Sequence, residues 1–296
     1  MKIQKGSELG IKNIVMTIYG QPDTGKTTLG LSAKNSLLLD FDGLIYKAKN
    51  NQDKDIVQVK NCTDIAKFEQ ADFANYDTII IDTCGKALDY LTEELIRNDT
   101  KLARRDGALT LQGYGALKSS FTQWLKRILT MGKDIVLLCH VKEKEENDIR
   151  IFRPAVVGGS LDEIMTVSTF VGFLHFLDKN RVLDFAPCEN WYGKNAAEFE
   201  TLKLPHYAEN NHYLDDIIKK SKEAIMIKNE KQDEAINEYL NYISQLDMLD
   251  TAEQFNAFMV DLTDVKPILK KQIWAKMIER QVKIGFKYNK TAKLFE

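Results

Sequence analysis

Residues 20–27 read Gly20-Gln21-Pro22-Asp23-Thr24-Gly25-Lys26-Thr27, and with Thr28 behind them they decide how the rest of the chain is read. The pattern is GxxxxGK[ST]. Its glycines let consecutive backbone N–H groups turn inward as a nest for phosphates, its lysine reaches the β- and γ-phosphate oxygens, and the hydroxyl after it ligates Mg²⁺. Such a loop needs a strand before it and a helix after it. Residues 14–19 form an unbroken apolar and β-branched run of strand length, and residues 26–33 suit a helix. The expected ligand is ATP with Mg²⁺.

The metal shell also needs an acid at the end of a second buried strand. Thr78-Ile79-Ile80-Ile81-Asp82 supplies one, so Thr27 and Asp82 are the expected metal residues. Thr83 follows Asp82, where many helicases and AAA+ machines place a catalytic glutamate, so the base has to come from elsewhere. The candidate is in Leu38-Leu39-Asp40-Phe41-Asp42-Gly43, where an acid at a strand's C-terminal edge beside the loop can orient water on a γ-phosphate. In an extended chain the spacing of two points Asp40 and Asp42 the same way. The competing reading is that both acids cap the turn.

Around these segments the chain alternates short strand-like runs with helical stretches up to about residue 205, the signature of an α/β core with a mainly parallel sheet. Central strands are expected at 14–19, 37–40, 78–82 and 135–139, with a closing hairpin at 171–177 and 181–185. Helices are expected at 26–33, 65–70, 86–97 and 115–131. From 206 to 296 helical periodicity takes over, and a boundary is placed near Pro205. This second region splits by charge: residues 209–264 hold 5 Lys/Arg against 13 Asp/Glu, and residues 265–295 hold 9 against 1. Thr251-Ala252-Glu253-Gln254 is a capping-box pattern that should start a helix. A basic helix at about 267–283 should carry Ile273, Trp274, Met277 and Ile278 on its apolar face.

Composition narrows the class. The 296 residues are 44% hydrophobic and 28% charged with a net charge of −2, as in an ordinary globular protein. Four cysteines without CxxC spacing argue against a disulfide framework or a zinc site. The lack of a secretory leader makes the cytoplasm the expected compartment.

At these residues the chain resembles RecA-type ATPases, and more closely the core-only RecA-like proteins of bacteriophages that act in single-strand annealing and recombination. The resemblance rests on 20–28, 38–43, 76–83, Leu111-Gln112-Gly113-Tyr114-Gly115, 137–142 and Trp191-Tyr192-Gly193-Lys194-Asn195, and it spans roughly 10–205. It implies a RecA-like P-loop core, to which the helical region 206–296 would add a small C-terminal appendage. It also implies a catalytic base at Asp42, a γ-phosphate sensor at His140, and a lysine at Lys194 that reaches the nucleotide of a neighbouring subunit. That last role makes the active form a homo-oligomer, ring or filament. About 13 residues precede the first strand, so the long N-terminal polymerisation domain of full RecA proteins is expected to be absent.

The resemblance further implies single-stranded DNA binding by two segments. One is 97–114, with Lys101, Arg104 and Arg105; the other is 142–159, with Lys142, Lys144, Arg150, Phe152 and Arg153. Cations there would grip phosphates, and an aromatic such as Phe152 or Tyr114 would stack on a base. Glu143, Glu145, Glu146 and Asp148 dilute the second segment's charge. The basic C-terminal segment would add contacts or dock a single-strand-binding protein or another replication or recombination partner. Two other readings stay open: a nucleotide switch or loader for a replication partner without significant turnover, and a small-molecule kinase.

Overall fold

A computed structural model describes residues 13–296 apart from 62–63, 65–67, 147 and 158. The expected helix at 65–70 therefore falls largely outside the described residues. The chain divides into two compact units, one ending at Ile225 and the other beginning at Met226.

The first unit is an α/β structure built on a mainly parallel sheet. Its centre is β1 (Val15–Gly20), β2 (Ser36–Asp40), β3 (Asp55–Gln58), β4 (Thr78–Asp82) and β5 (Asp134–Glu146). β5 continues into an antiparallel ribbon with β6 (Ile149–Pro154), and β7 (Phe170–Leu177) turns back into β8 (Asn180–Asp184). The short β9 (Lys194–Asn195) and β10 (Leu202–Lys203) extend that edge. The strand order is β10-β8-β7-β1-β5-β4-β2-β3, with β6 on β5 and β9 on β7. β1 therefore lies between β5 and β7, and β5 separates it from β4.

The central runs are continuously apolar because both faces of the sheet are covered. Side chains alternate. Val15, Leu37, Leu39, Ile79, Ile81, Ile135 and Leu137 pack on one face against α2 (Cys84–Asn98) and α3 (Leu111–Leu129), through Leu88, Leu91, Phe121 and Leu125. Met16, Ile18, Leu38, Ile80, Val136 and Leu138 face the other side, where Leu29 of α1 (Lys26–Gly30) and Leu31 just after it lie. That side is closed by Leu214, Ile217 and Ile218 of the helix Tyr213–Leu246. Lys222 of this helix also pairs with Asp134 at 2.6 Å, while the other oxygen of Asp134 accepts the N–H of Ile14 at 2.9 Å. The segment read as the start of an appendage at 206 thus packs on the core as far as Ile225.

The sequence reading and the structure differ in three further places. The stretch 142–159 is largely the regular β5–β6 ribbon, which forms because alternating charged and β-branched residues pair in register from Val141↔Pro154 to Glu146↔Ile149. A short helix, α4 (Ser160–Val167), follows it. The β7–β8 connection has only two residues, Asp178 and Lys179, both at positive φ (47° and 67°), the twist that a tight two-residue hairpin demands.

The second unit has its own core. The helix Tyr213–Leu246, α5, carries the division between the units, and its later part contributes Leu246 here; α6 (Ala252–Asp261), α7 (Pro267–Ile284) and the pair β11 (Tyr288–Asn289) and β12 (Leu294–Phe295) complete it. Thr251 and Gln254 form the expected capping box. Ile273 and Met277 are buried, with Trp274 and Ile278 packed beside them. Trp274 meets Tyr288 edge-on at 4.8 Å and Phe286 meets Phe255 at 5.1 Å, so these aromatics build the unit's own core. No helix among the described residues is long and apolar enough to cross a membrane.

Candidate functional site

The parallel register brings the functional side chains to one edge. Gly20 pairs with His140 and Asp40 with Asp82, so the last residues of β1, β2 and β4 come together with His140 of β5 at the carboxyl edge of the parallel sheet, where open α/β sheets bind ligands. A cavity of about 620 Å³ opens there, lined by Lys26, Thr27, Asp40, Asp42, Asp82, Thr83 and His140 among others.

The loop has the backbone its sequence requires. A Cβ on Gly20 would stand 2.2 Å from the carbonyl oxygen of Leu174, so no other residue fits there without moving β7. Gly25 sits at φ 89°, left-handed, as the residue before α1. Thr24 turns its hydroxyl onto the Gln21 carbonyl at 2.9 Å. Lys26 is buried, and its ammonium donates to the carbonyls of Gly20 (3.1 Å) and Gln21 (2.8 Å); dehydration lowers its pKa despite the carboxylate of Asp82 nearby. Pro22, Asp23 and Thr28 also line the cavity.

Thr27 Oγ1 donates a 2.6 Å hydrogen bond to Asp82 Oδ2. A hydroxyl and a carboxylate this close form the hard-oxygen pair that Mg²⁺ uses while keeping waters and phosphate oxygens for its other positions, so the residues fit that ion. Burial pushes the Asp82 carboxyl up to about 6, the Thr27 hydrogen bond opposes the rise, and the neighbouring Asp42 and Asp40 add to it. Bound Mg²⁺ would supply positive charge that favours the carboxylate and would screen the phosphates.

The two strand-2 acids part company. Asp40 receives the N–H groups of Gly43 (2.9 Å) and Ile45 (3.4 Å): it caps the turn after β2. Burial raises its pKa against those hydrogen bonds. Asp42 instead turns to side chains, accepting the Thr83 hydroxyl at 3.1 Å with His140 Nε2 at 3.4 Å from its other oxygen. Burial alone would raise the Asp42 pKa, but hydrogen bonds from His140 and Thr83, with the charge of Lys86, bring it below the usual carboxylate value. His140 Nδ1 is buried without a partner. Sequence reasoning found Asp42 and His140 separately but not their contact with each other, nor Thr83 as the third member.

Lys194 is not among the cavity-lining residues. It lies exposed on β9, donating to the Met165 carbonyl at 3.3 Å. Arg181, Phe176, His206 and Tyr207 do line the cavity, and sequence reasoning missed them. Their signal was faint: a phenylalanine and an arginine inside the two hairpin strands, and two rings just past the last core strand.

The two segments expected to meet DNA differ in how free their cations are. Arg104 and Arg105 are exposed on a tight turn closed by the bridge between Ala103 and Leu109, and Lys101 is exposed beside it. On the ribbon, Lys142 is exposed, but Lys144 pairs with Glu146, and Arg150 lies 3.7 Å from Glu143. Arg153 is half-buried. Phe152 is half-buried and stacked on Phe173 at 5.2 Å against the core, which occupies one face of its ring; Tyr114 is 44% exposed.

The comparison with known families fits this geometry. A family model described as an AAA domain, AAA_24, matches residues 12–197. The chain belongs to this AAA domain family. Its match covers every loop and strand-end residue named above from Gly20 to Lys194 and ends before His206 and Tyr207. Among solved structures the chain is similar to the flagellar accessory protein FlaH from Methanocaldococcus jannaschii, 14% identical, over 57% of this chain and 75% of that one, with a TM-score of 0.34. Among curated proteins, none matches.

Proposed function

We propose that this AAA-domain protein is a Mg²⁺-dependent ATPase whose turnover is coupled to single-stranded DNA, acting in bacteriophage-type annealing and recombination in the host cytoplasm. The observation that carries the ATPase is the cluster at one strand edge: Lys26 in its loop, Thr27 on Asp82, and Asp42 between Thr83 and His140. Lys26 would reach β- and γ-phosphate oxygens, and Thr27 and Asp82 would hold the magnesium. Asp42 stays ionised at neutral pH and takes the proton of the attacking water, while His140 reads the γ-phosphate.

The DNA reading draws on the resemblance to phage RecA-like cores and on the exposed cations Lys101, Arg104, Arg105 and Lys142. Lys194 lies outside its own cavity lining, and the resemblance gives it to a neighbouring subunit's nucleotide, a role that would make the active form an oligomer. Mixing Lys26→Ala with Lys194→Ala tests this. Each variant is inactive alone and activity returns on mixing if the lysine works across subunits; inactivity of every mixture removes the trans role.

Hydrolysis by the purified protein, with and without single-stranded DNA and beside Lys26→Ala, tests the whole reading. DNA-stimulated turnover lost in Lys26→Ala is expected, and turnover indifferent to DNA would remove the coupling. Tight ATP binding without turnover would favour a nucleotide switch, a reading to which the engagement of Asp42 by His140 and Thr83 lends support.

A further inference from the structure

Two cavities meet at the phosphate loop. The larger holds Asp42, Asp82 and His140; the smaller is lined by Gly25, Thr28, Ser32, Arg181, Tyr207 and Tyr213 among others and contains none of those three. The two share Gly25, Thr28, Arg181 and Tyr207. A P-loop fixes the direction of its ligand, because lysine and the metal hydroxyl mark the β- and γ-phosphates. The nucleoside then leaves away from Asp82 and Asp42, toward the residues the two cavities share.

Those residues suit a nucleoside. Arg181 reaches from β8 onto the loop: a Cβ on Gly25 would stand 2.5 Å from its Nη1, and its Nη2 lies 3.5 Å from the Pro205 carbonyl. Two residues beyond Pro205, Tyr207 is half-buried with the His206 ring 4.4 Å from its own, and Phe176 on β7 is 57% exposed. None of these three rings belongs to a hydrophobic core of the unit. Aromatic faces bordering a phosphate loop offer what a nucleobase needs, a flat apolar surface close to positive charge.

We propose that Tyr207 is the stacking platform for the base of the bound nucleotide and that Arg181 supplies the positive charge at the nucleoside end of its phosphates. The proposal rests on the nucleotide reading of the loop and adds to it a segment, 206–207, that lies beyond the family match. Arginine suits this place better than lysine, because a planar guanidinium can lie against the loop and still present paired N–H donors to an anion.

The test is calorimetric binding of Mg-ATP and of Mg-tripolyphosphate, which has the phosphates without the nucleoside. Wild-type protein is expected to bind ATP at least about tenfold more tightly than tripolyphosphate, since a base stacked on an aromatic ring contributes roughly 10- to 100-fold. Tyr207→Ala should lose that preference and keep its tripolyphosphate affinity within about twofold, Tyr207→Phe should retain it, and Arg181→Ala should weaken both ligands. Equal affinity of the wild type for the two ligands would overturn the subsite, and needs no variant that must fold. So would a Tyr207→Ala protein that binds ATP as the wild type does, or one that loses both ligands alike. Lys26→Ala separates the two levels. If it binds both ligands as the wild type does, the phosphate site itself is wrong, and the subsite falls with it.

Discussion

Gln21, inside the phosphate loop, donates a 2.9 Å hydrogen bond from its side-chain amide to Glu143, three residues beyond His140 on β5. Glu143 also faces Arg150 across the ribbon at 3.7 Å. One carboxylate therefore ties the nucleotide loop to the ribbon expected to meet DNA. Exposed pairs of this kind contribute about 0–1 kcal/mol, so Glu143→Ala should leave thermal stability nearly unchanged. It should free Arg150 for phosphate. Single-strand affinity should rise, and the log–log salt slope should steepen by about 0.7 for one added contact. Anisotropy titrations of a labelled oligonucleotide across salt concentrations read this directly, and an unchanged slope would place DNA away from the ribbon.

The contribution of Asp82 to stability falls as pH rises through one window. Its carboxyl titrates near 6 in the folded chain against an ordinary 3.8, so between those values the folded state holds more protons than the unfolded one. Stability contributed by this group is highest below pH 4 and declines until about pH 6. Asp82→Asn removes the charge, so it should stabilise the nucleotide-free protein at pH 7–8 by up to about 3 kcal/mol and give no such gain near pH 4. The same variant should lose Mg²⁺-dependent hydrolysis. Urea unfolding of both proteins at the two pH values measures the first effect.

Asp42 behaves in the opposite sense. Its folded pKa is depressed, so its contribution is present above the ordinary carboxylate range and is lost as pH falls through the folded value. As the proposed base it should be indispensable to turnover but not to binding. Asp42→Asn should cut kcat by about 10²–10⁴-fold with ATP affinity largely kept. Loss of binding in parallel with turnover would assign Asp42 to structure instead.

Arg280 on α7 should prove structural, although it lies in the basic stretch offered for DNA or a partner. Its guanidinium donates to the carbonyls of Asp247 (2.6 Å) and Leu249 (2.9 Å) and lies 3.3 Å from Asp250. Charged donors to carbonyls contribute about 1.5–3 kcal/mol each, and a lysine cannot reproduce the fork. Arg280→Lys should lower the melting temperature of the C-terminal unit and leave oligonucleotide affinity alone.

What could be read from sequence was whatever repeats with a short period or sits in one compact motif. The runs at 14–19, 78–82 and 135–139 announced buried strands, and the Gly25-Lys26-Thr27 triplet announced its loop. The capping box at Thr251 likewise named its helix. Contacts between distant strand ends were not legible. Nothing in Leu39-Asp40-Phe41-Asp42 says which acid turns back to cap Gly43 and which faces His140, because only the bend after β2 breaks their shared direction. Phe152 shows the same limit: an aromatic among charges gives no sign of the Phe173 ring, from another strand, that stacks on it. The boundary near Pro205 followed the end of strand signals, whereas Leu214, Ile217 and Ile218 carry the packing further, to a division inside α5.

The grip of Lys26 on the carbonyls of Gly20 and Gln21 gives the loop a threshold of its own. Any anion that recruits this ammonium has to outbid two backbone oxygens already facing it at hydrogen-bond distance. A lone chloride or a single carboxylate brings one formal charge to that exchange. A chain of phosphates, with several formal charges and many oxygens, offers far more. The loop's own backbone is thus the competitor that an incoming anion displaces, and a polyphosphate is the anion best equipped to displace it.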